Sequence, residues 1–534
     1  MNRFLILLFV AICGLLKAQE PALTLPFISG GPELDAGNCI TVDAQGNRYL
    51  AGNFSGTVDF QGQIITSKGM EDAFIAKFDS LGTLLWVNTV GGVTSDRGIA
   101  IDIDTDNNVF FGGTFHSFEL FIGDSVIYSC GCSDFAFMSK FTGNGEFVWA
   151  NSFQGDGATP VKDVVCSTNG NIYFTGNFFN TTWFGTEEIT PGGVSDIYIA
   201  SYSQSGDLLD VKTYGGTGAD DLLSAEENNS GDLFITGYFG KKVAFDNDTI
   251  ESAGLNDIFL AKLDQNLVTL EVKSFGGVGD DRGMGLYLLP SGDVVFSGTI
   301  YESAFFDGIE VTGNAYYDIF VAVADPLLNI NWVKSFGGGF DDFARNVSSD
   351  NLGNIYATGD FMLDVNFTDT VLSANTYSEA FVLKLDNEGN TLWAKSLGGT
   401  RHDFGNSLAV TANDKLLFTG SFSDSLFFQS EYVLGNGSAD IYIGEINPGE
   451  NGINESSFIN DLTVFPIPSN GIIFFRSSEE ILEIEIYNSL GKMMQTAVVN
   501  EKGNLDLSSF QTGAYYLKMT TAKGTVLRKI ILCN

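Results

Sequence analysis

The sequence predicts an all-β chain: a seven-bladed β-propeller closed by its N-terminal strand, followed by a small immunoglobulin-like β-sandwich. Three observations carry that prediction. A ruler glycine, closing a Gly-Gly pair in every unit but one, recurs at Gly31, Gly92, Gly155, Gly216, Gly277, Gly338 and Gly399, spaced by 61 residues and once by 63. A second glycine follows 21 residues later each time, at Gly52, Gly113, Gly176, Gly237, Gly298, Gly359 and Gly420. An acid opens a stretch such as DIFLAKLD at Asp72, Asp134, Asp196, Asp257, Asp318, Glu379 and Asp440. Three markers sharing one period mean an array of supersecondary units that bury their apolar faces against one another.

Each unit reads as four strands. The first, such as CITVD or AIDID, passes through a turn such as DAQGN, STNGN or DNLGN into a second such as RYLAGNF or NIYATGDF. Asn, Asp and Gly in those turns supply the positive φ that a tight hairpin needs. A variable excursion follows, built on a Phe or Trp and a later β-branched residue, as in VDFQGQIITS and VNFTDTVLSA. Two more strands, DAFIAKFD and TLLWVNTVGG in the first unit, complete it. The seventh unit stops near Asn447 without a fourth strand, and ALTLPFISGG at residues 22–31 aligns with the missing one. Closing a ring with that strand buries both end faces of the array, which an open solenoid must cap. Trp86, Trp149, Trp332 and Trp393 of the fourth strands, replaced by Val211 and Val272 in two units, read as packing between blades.

At 534 residues the chain exceeds one ordinary domain. The expected divisions are a leader at 1–18, the repeat array at 19–447, a polar linker at 448–461 and a C-terminal unit at 462–534. A formal charge of −39, from 66 acids against 27 bases, argues against nucleic acid and anionic membrane surfaces as partners. Arg3, the apolar run from Phe4 to Leu16 and the small residue Ala18 read as a secretory signal. No other segment approaches the roughly 20 apolar residues of a spanning helix, so no transmembrane anchor is expected. The remaining cysteines, Cys39, Cys130, Cys132, Cys166 and Cys533, are odd in number and do not form a disulfide framework. Cys130 and Cys132, separated only by Gly131, are too close for an easy bridge and read as small filler residues.

The core DNLGNIYATG at Asp350–Gly359 resembles the SBBP-type β-propeller repeat of exported bacterial proteins, and the resemblance spans about residues 22–447. It implies the fold and no shared activity. After the linker PGENGINESSFIN the period never returns. VFPIPSNG at Val464–Gly471, IEIYNSLGK at Ile484–Lys492, LDLSSFQTGAYYLKM at Leu505–Met519 and LRKIIL at Leu527–Leu532 resemble the C-terminal sorting domain of type IX secretion in Bacteroidetes-like bacteria. The motif residues are Pro466, Pro468, Gly471, Gly491, Gly513 and Tyr515; Ile467 departs from the usual Asn between the prolines. The resemblance implies the type IX machinery as a partner and a secreted or outer-membrane-surface location reached through the periplasm.

No catalytic constellation assembles from the sequence. His116 and His402 are the only histidines and lie in different units, and no nucleophile elbow, zinc-helix motif or phosphate loop occurs. The expectation is a non-enzymatic module that binds an extracellular polysaccharide or surface protein; a secreted glycan hydrolase and a structural surface component are the alternatives. No cofactor is expected, with Ca²⁺ the one candidate metal. Asp102, Asp104, Asp106 and Asn108 have the alternating oxygen spacing of a calcium loop but lack its Gly and closing acid. An Asp four residues after the ruler glycine, at Asp35, Asp96, Asp220, Asp281, Asp342 and Asp403 with Thr159 in the odd unit, is read as a structural acceptor for backbone N–H groups, with a carboxylate crown for cations as the alternative. Asp79, Asp124, Asp248, Asp369 and Asp424 begin triplets similar to O-glycosylation acceptors of the same bacteria.

Overall fold

The computed structural model describes residues 23–447 apart from 369, 429 and 430, and in the C-terminal unit 463–465, 469, 471–476, 481–488, 493–497, 504–508, 510, 513–521 and 524–532. The leader, the linker, Cys533 and the motif residues Pro466, Pro468 and Gly491 lie outside the described residues. The chain divides into two compact units, Ala22–Pro448 and Gly449–Asn534. Every regular element among the described residues is a β-strand, and the strands pair antiparallel. No helix among them is long and apolar enough to cross a membrane.

The first unit is built from seven four-stranded sheets. Their first strands are Ala36–Val42, Asp96–Ile103, Val161–Cys166, Asp220–Glu227, Arg282–Leu288, Asp342–Ser349 and Asp403–Val410. Each lies beside the next, and the seventh lies beside the first. The last sheet takes its fourth strand from the start of the chain: Leu23–Ser29 pairs with Asp440–Ile446, setting Phe27 opposite Ile443 and Ser29 opposite Ile441. Phe27 then packs on Phe60 and Phe78 of the first sheet, with ring centroids 5.4 and 4.7 Å apart. Across the same seam buried Arg48 donates to Glu445 at 2.7 Å, and Ser407 Oγ accepts from Ile40 N at 3.2 Å.

The recurring glycines are explained by close approach. The variable excursion is a hairpin that reaches back to the preceding sheet, pairing Val243 with Gly216, Ala304 with Gly277 and Val365 with Gly338. A Cβ on Gly216 would lie 1.6 Å from Lys242 O, and one on Gly338 1.6 Å from Asp364 O. The residue before the ruler glycine meets a side chain instead. A Cβ on Gly337 would lie 1.6 Å from Asp318 Oδ1, and one on Gly30 1.7 Å from Asp440 Oδ1. Each of those acids also accepts a backbone N–H four residues upstream, Asp196 from Gly192 at 3.0 Å and Asp257 from Ala253 at 2.9 Å. The glycine of the second strand sits opposite a bulge in the first strand, between Ala344 and Asn346 in the sixth sheet, where its Cβ would meet Phe343 O at 1.8 Å.

The fourth-strand tryptophans fasten one sheet to the turn of the next. Trp86 donates Nε1–H to Gly143 O and Trp149 to Gln204 O, both at 3.2 Å, and Trp332 to Asn387 O at 3.1 Å. The filler reading of Cys130 and Cys132 is corrected: they form a disulfide with Cα atoms 5.2 Å apart. The physical reason is Gly131, whose φ of +63° folds the backbone back on itself and brings the two thiols together.

In the second unit, Thr463–Phe465, Ile472–Arg476 and Asn504–Asp506 form one sheet, and Met493–Ala497, Ile481–Asn488, Gly513–Thr521 and Gly524–Leu532 the other. Asn504–Asp506 is a strand that the sequence reading did not anticipate. Ile473, Ile484, Ile486, Leu517 and Met519 make a buried cluster with Tyr515 at its edge, against which Phe510 packs at 5.3 Å. Gly471 adopts φ of +107°, a region L side chains avoid, and Gly513 opens a strand.

Candidate functional site

The aspartates after the ruler glycine turn inward to the backbone. Asp342 is fully buried and accepts from Gly338 N at 2.8 Å and Met362 N at 3.1 Å. Asp281 takes Gly277 N at 2.7 Å and Tyr301 N at 2.8 Å, and Asp403 takes Gly399 N at 2.7 Å and Ser423 N at 2.9 Å. Asp35 and Asp96 do the same work in the first and second sheets. Burial is the largest influence on these carboxyls and pushes Asp35 up to about 6, Asp220, Asp281 and Asp403 to about 7, and Asp342 to about 8. Both oxygens are spent on tying two segments of one sheet together, which leaves no crown of open carboxylates.

At the centre of the cycle a cavity of about 290 Å³ is lined from all seven first strands, by residues including Cys39, Asp102, Asp163, Glu226, Tyr287 and Ser407. Several of these stitch a first strand to its neighbour. Asp102 accepts from Cys166 N at 2.8 Å, Asp163 from Ala225 N at 2.9 Å, and Asn346 from Leu408 N at 3.2 Å. Burial raises Asp102 to about 6 and Asp163 to about 7. Glu226 rises to about 8 through burial and the nearby charges of Asp102 and Asp163.

The four residues of the candidate calcium loop do not converge. Asp104 caps its own turn, accepting from Asp106 N at 3.0 Å and Asn108 N at 2.8 Å. Asp102, one strand position earlier, faces the central cavity. Among the described residues no group of three or more His, Cys, Asp or Glu is arranged to hold a metal ion. Asp79 likewise serves its turn through Leu81 N and Thr83 N; Asp369 lies outside the described residues. The two histidines stay apart in different sheets, His116 against Asp134 at 3.2 Å and His402 against Ser378 Oγ at 2.9 Å.

One surface the sequence reading missed lies where the first strands begin. Arg282 stands over Tyr238 at 5.0 Å and Tyr317 at 6.0 Å. Tyr317 packs against Phe343 at 5.5 Å, and Arg345 stands over Phe343 at 5.9 Å and Phe404 at 5.5 Å. The His402 ring stacks parallel to Phe404 at 6.1 Å. The result is a continuous belt of planar side chains from the fourth sheet to the seventh. Each arginine is anchored: Arg282 donates to Asp280 at 3.1 and 2.5 Å, and Arg345 to Asp360 at 2.6 Å. Beside the belt, a cavity of about 610 Å³ is lined by Phe404 and His402 on one side and by Asn38, Asn53, Glu71 and Arg97 on the other. Arg97 pairs with Glu71 at 2.7 Å, and Asn53 donates to the same carboxylate. A signal for this surface existed in the sequence. Arg97, Arg282, Phe343 and Phe404 all stand five residues after the ruler glycine, where the other units carry Ala36, Pro160 and Asp221.

Residues 463–533 match the family model described as the secretion system C-terminal sorting domain. The second unit is a type IX sorting domain. A chain that carries a sorting domain is one exported by type IX secretion to the cell surface or beyond, and the domain makes the secretion machinery its partner. The whole chain is similar to an uncharacterized WD repeat-containing protein of Acanthamoeba polyphaga mimivirus, 21% identical over 544 residues; 82% of this chain is covered, and it spans 38% of that relative's length. Among solved structures it is similar to Sqt1 from Chaetomium thermophilum, with 8% identity, TM-score 0.39, and coverage of 79% of this chain and 99% of that one. It is also similar to PorZ, a surface component of the type-IX secretion system of Porphyromonas gingivalis, with 10% identity, TM-score 0.21, and coverage of 93% and 81%. At these scores the two structures carry nothing about function.

Proposed function

We propose that the first unit is a closed seven-bladed β-propeller of the SBBP repeat type that works as a non-enzymatic adhesion module, delivered by an immunoglobulin-like sorting domain to the outside of the cell. The observation that carries the reading is the pairing of a sorting domain with an accessible belt of anchored arginines and aromatic faces at one end of the cycle. Such a surface is pre-organised, because its charged groups are already held by buried carboxylates and lose little freedom on binding. The cyclic order of the first strands and the buried seam between Leu23–Ser29 and the first sheet support the closed ring. The propeller is a rigid scaffold, and its loops are free to vary without disturbing it.

The test is retention of the purified full-length protein on a panel of extracellular polysaccharides and on outer-membrane fractions of the producing bacterium. Retention without soluble products is the expected result. Release of oligosaccharides would replace adhesion by hydrolysis. That second reading has one observation in its favour: Glu226, raised to about 8, is protonated at neutral pH beside Asp163, as a general acid must be. Any product formation should then vanish in Glu226→Gln.

A further inference from the structure

We infer that the belt on the fifth to seventh sheets is a binding site for an uncharged polysaccharide, an inference that rests on the adhesion reading and names its ligand. The charge pattern decides the class. The side chains of Arg282 and Arg345 are 40% and 32% exposed, yet each is neutralised by a carboxylate that is 14% or 5% exposed. An anionic polymer gains little from cations already paired, and it must approach a chain of formal charge −39. Sugar hydroxyls meet neither obstacle. The guanidinium has five N–H donors, of which Arg345 gives one to Asp360 and Arg282 two to Asp280, so donors remain for a ligand in a fixed plane.

The aromatic spacing fits the same ligand. Arg345 lies between the faces of Phe343 and Phe404, so apolar faces alternate with a donor edge along the belt. A pyranose presents that alternation in reverse, with an apolar C–H face for stacking and hydroxyls at its rim. The adjoining cavity of about 610 Å³ continues from Phe404 to Asn38 and Asn53, within the roughly 300–1,000 Å³ of ligand clefts. Amide side chains there offer both a donor and an acceptor to one hydroxyl.

The experiment is affinity electrophoresis of the full-length protein in gels containing galactomannan, xyloglucan or mixed-linkage glucan, with alginate and polygalacturonate as anionic counterparts. Phe404→Leu keeps apolar bulk and removes the stacking face. Arg345→Lys keeps a charge for Asp360 and removes the planar donors. Trp183→Ala, an exposed ring on the excursion of the third sheet, is the control. Retardation by at least one neutral polymer, weakened tenfold or more in both belt variants and unchanged in the control, is the expected result. Retardation that survives both variants would overturn the site and leave adhesion standing. Retardation by the anionic polymers alone would overturn the ligand class. Retention by no polysaccharide would remove the inference, and capture on outer-membrane protein instead would show that adhesion itself survives.

Discussion

The third and sixth sheets are built to one plan and differ at three linked positions. In the sixth, Gly337 precedes the ruler glycine, Asp318 packs over it fully buried, and Asp342 ties the loop. In the third, the counterparts are Gln154, Asp134 and Thr159. With a side chain at Gln154 there is no room for the acid, and Asp134 is 63% exposed, paired with His116 instead of the backbone. Thr159 stays buried and accepts only from Ala136 N, at 3.3 Å. The three substitutions make one physical change: the acid packs inside only where the glycine leaves its space empty. The repeated Asp and Gly-Gly signals are therefore a closure device between sheets, and the odd sheet shows what replaces it.

The largest effect expected from this comparison comes from transplanting the odd residue. Gly337→Gln drives a side chain into the space of Asp318 and should destabilise the chain by at least about 3 kcal/mol. The reverse change, Gln154→Gly, should stay within about 0.5 kcal/mol, since its surroundings are already open. Urea denaturation of the two variants checks both. Asp342→Ala comes next. It leaves Gly338 N and Met362 N without their acceptor, at a cost of about 2–3 kcal/mol, against about 1 kcal/mol for Thr159→Ala. Equal losses at the two sites would mean that the sheets do not differ in the way the geometry implies. Below these stands the disulfide near the odd seam. Cys130→Ser with Cys132→Ser opens a loop of one residue, and a loop so short constrains the unfolded chain by only about 1 kcal/mol.

The array was legible in the sequence because sterics imposed it. A glycine every 61 residues is a point where a neighbouring backbone comes within van der Waals reach, and no other residue fits there. The completion of the seventh sheet by Leu23–Ser29 was legible for a related reason: one strand was missing at one end and present at the other. The structural role of the Asp series was also readable, since a residue repeated in every unit serves the unit. The excursions were not resolved as hairpins pairing with the preceding sheet, because their lengths vary and those contacts span different units. The Arg and aromatic belt escaped for the opposite reason. Arg282, Phe343, Arg345 and Phe404 do not repeat; only the ring geometry brings them into contact, so no single stretch of sequence carries the signal. Cys130–Cys132 was misread because spacing alone ignores the turn that Gly131 permits.

The smallest effect separates the two sheets by pH. Asp342 is pushed up to about 8 chiefly by burial, against about 3.9 in an unfolded chain. A carboxyl raised on folding binds its proton more tightly in the folded state, so its contribution is fully present below about pH 4 and is lost as pH rises through about 8. The N–H groups of Gly338 and Met362 favour the carboxylate and offset much of that loss. Thr159, at the same place in the third sheet, does not titrate. Asp342→Asn keeps an acceptor oxygen and no charge, so its stability should fall less than that of the natural chain between pH 5 and pH 8, by of the order of 1 kcal/mol. Other acids change equally in both proteins and cancel from the difference. Denaturation curves at pH 5, 6.5 and 8 measure it. Parallel curves would mean that the two N–H bonds hold Asp342 charged throughout, and the sixth sheet would then be closed by an anion where the third is closed by a hydroxyl.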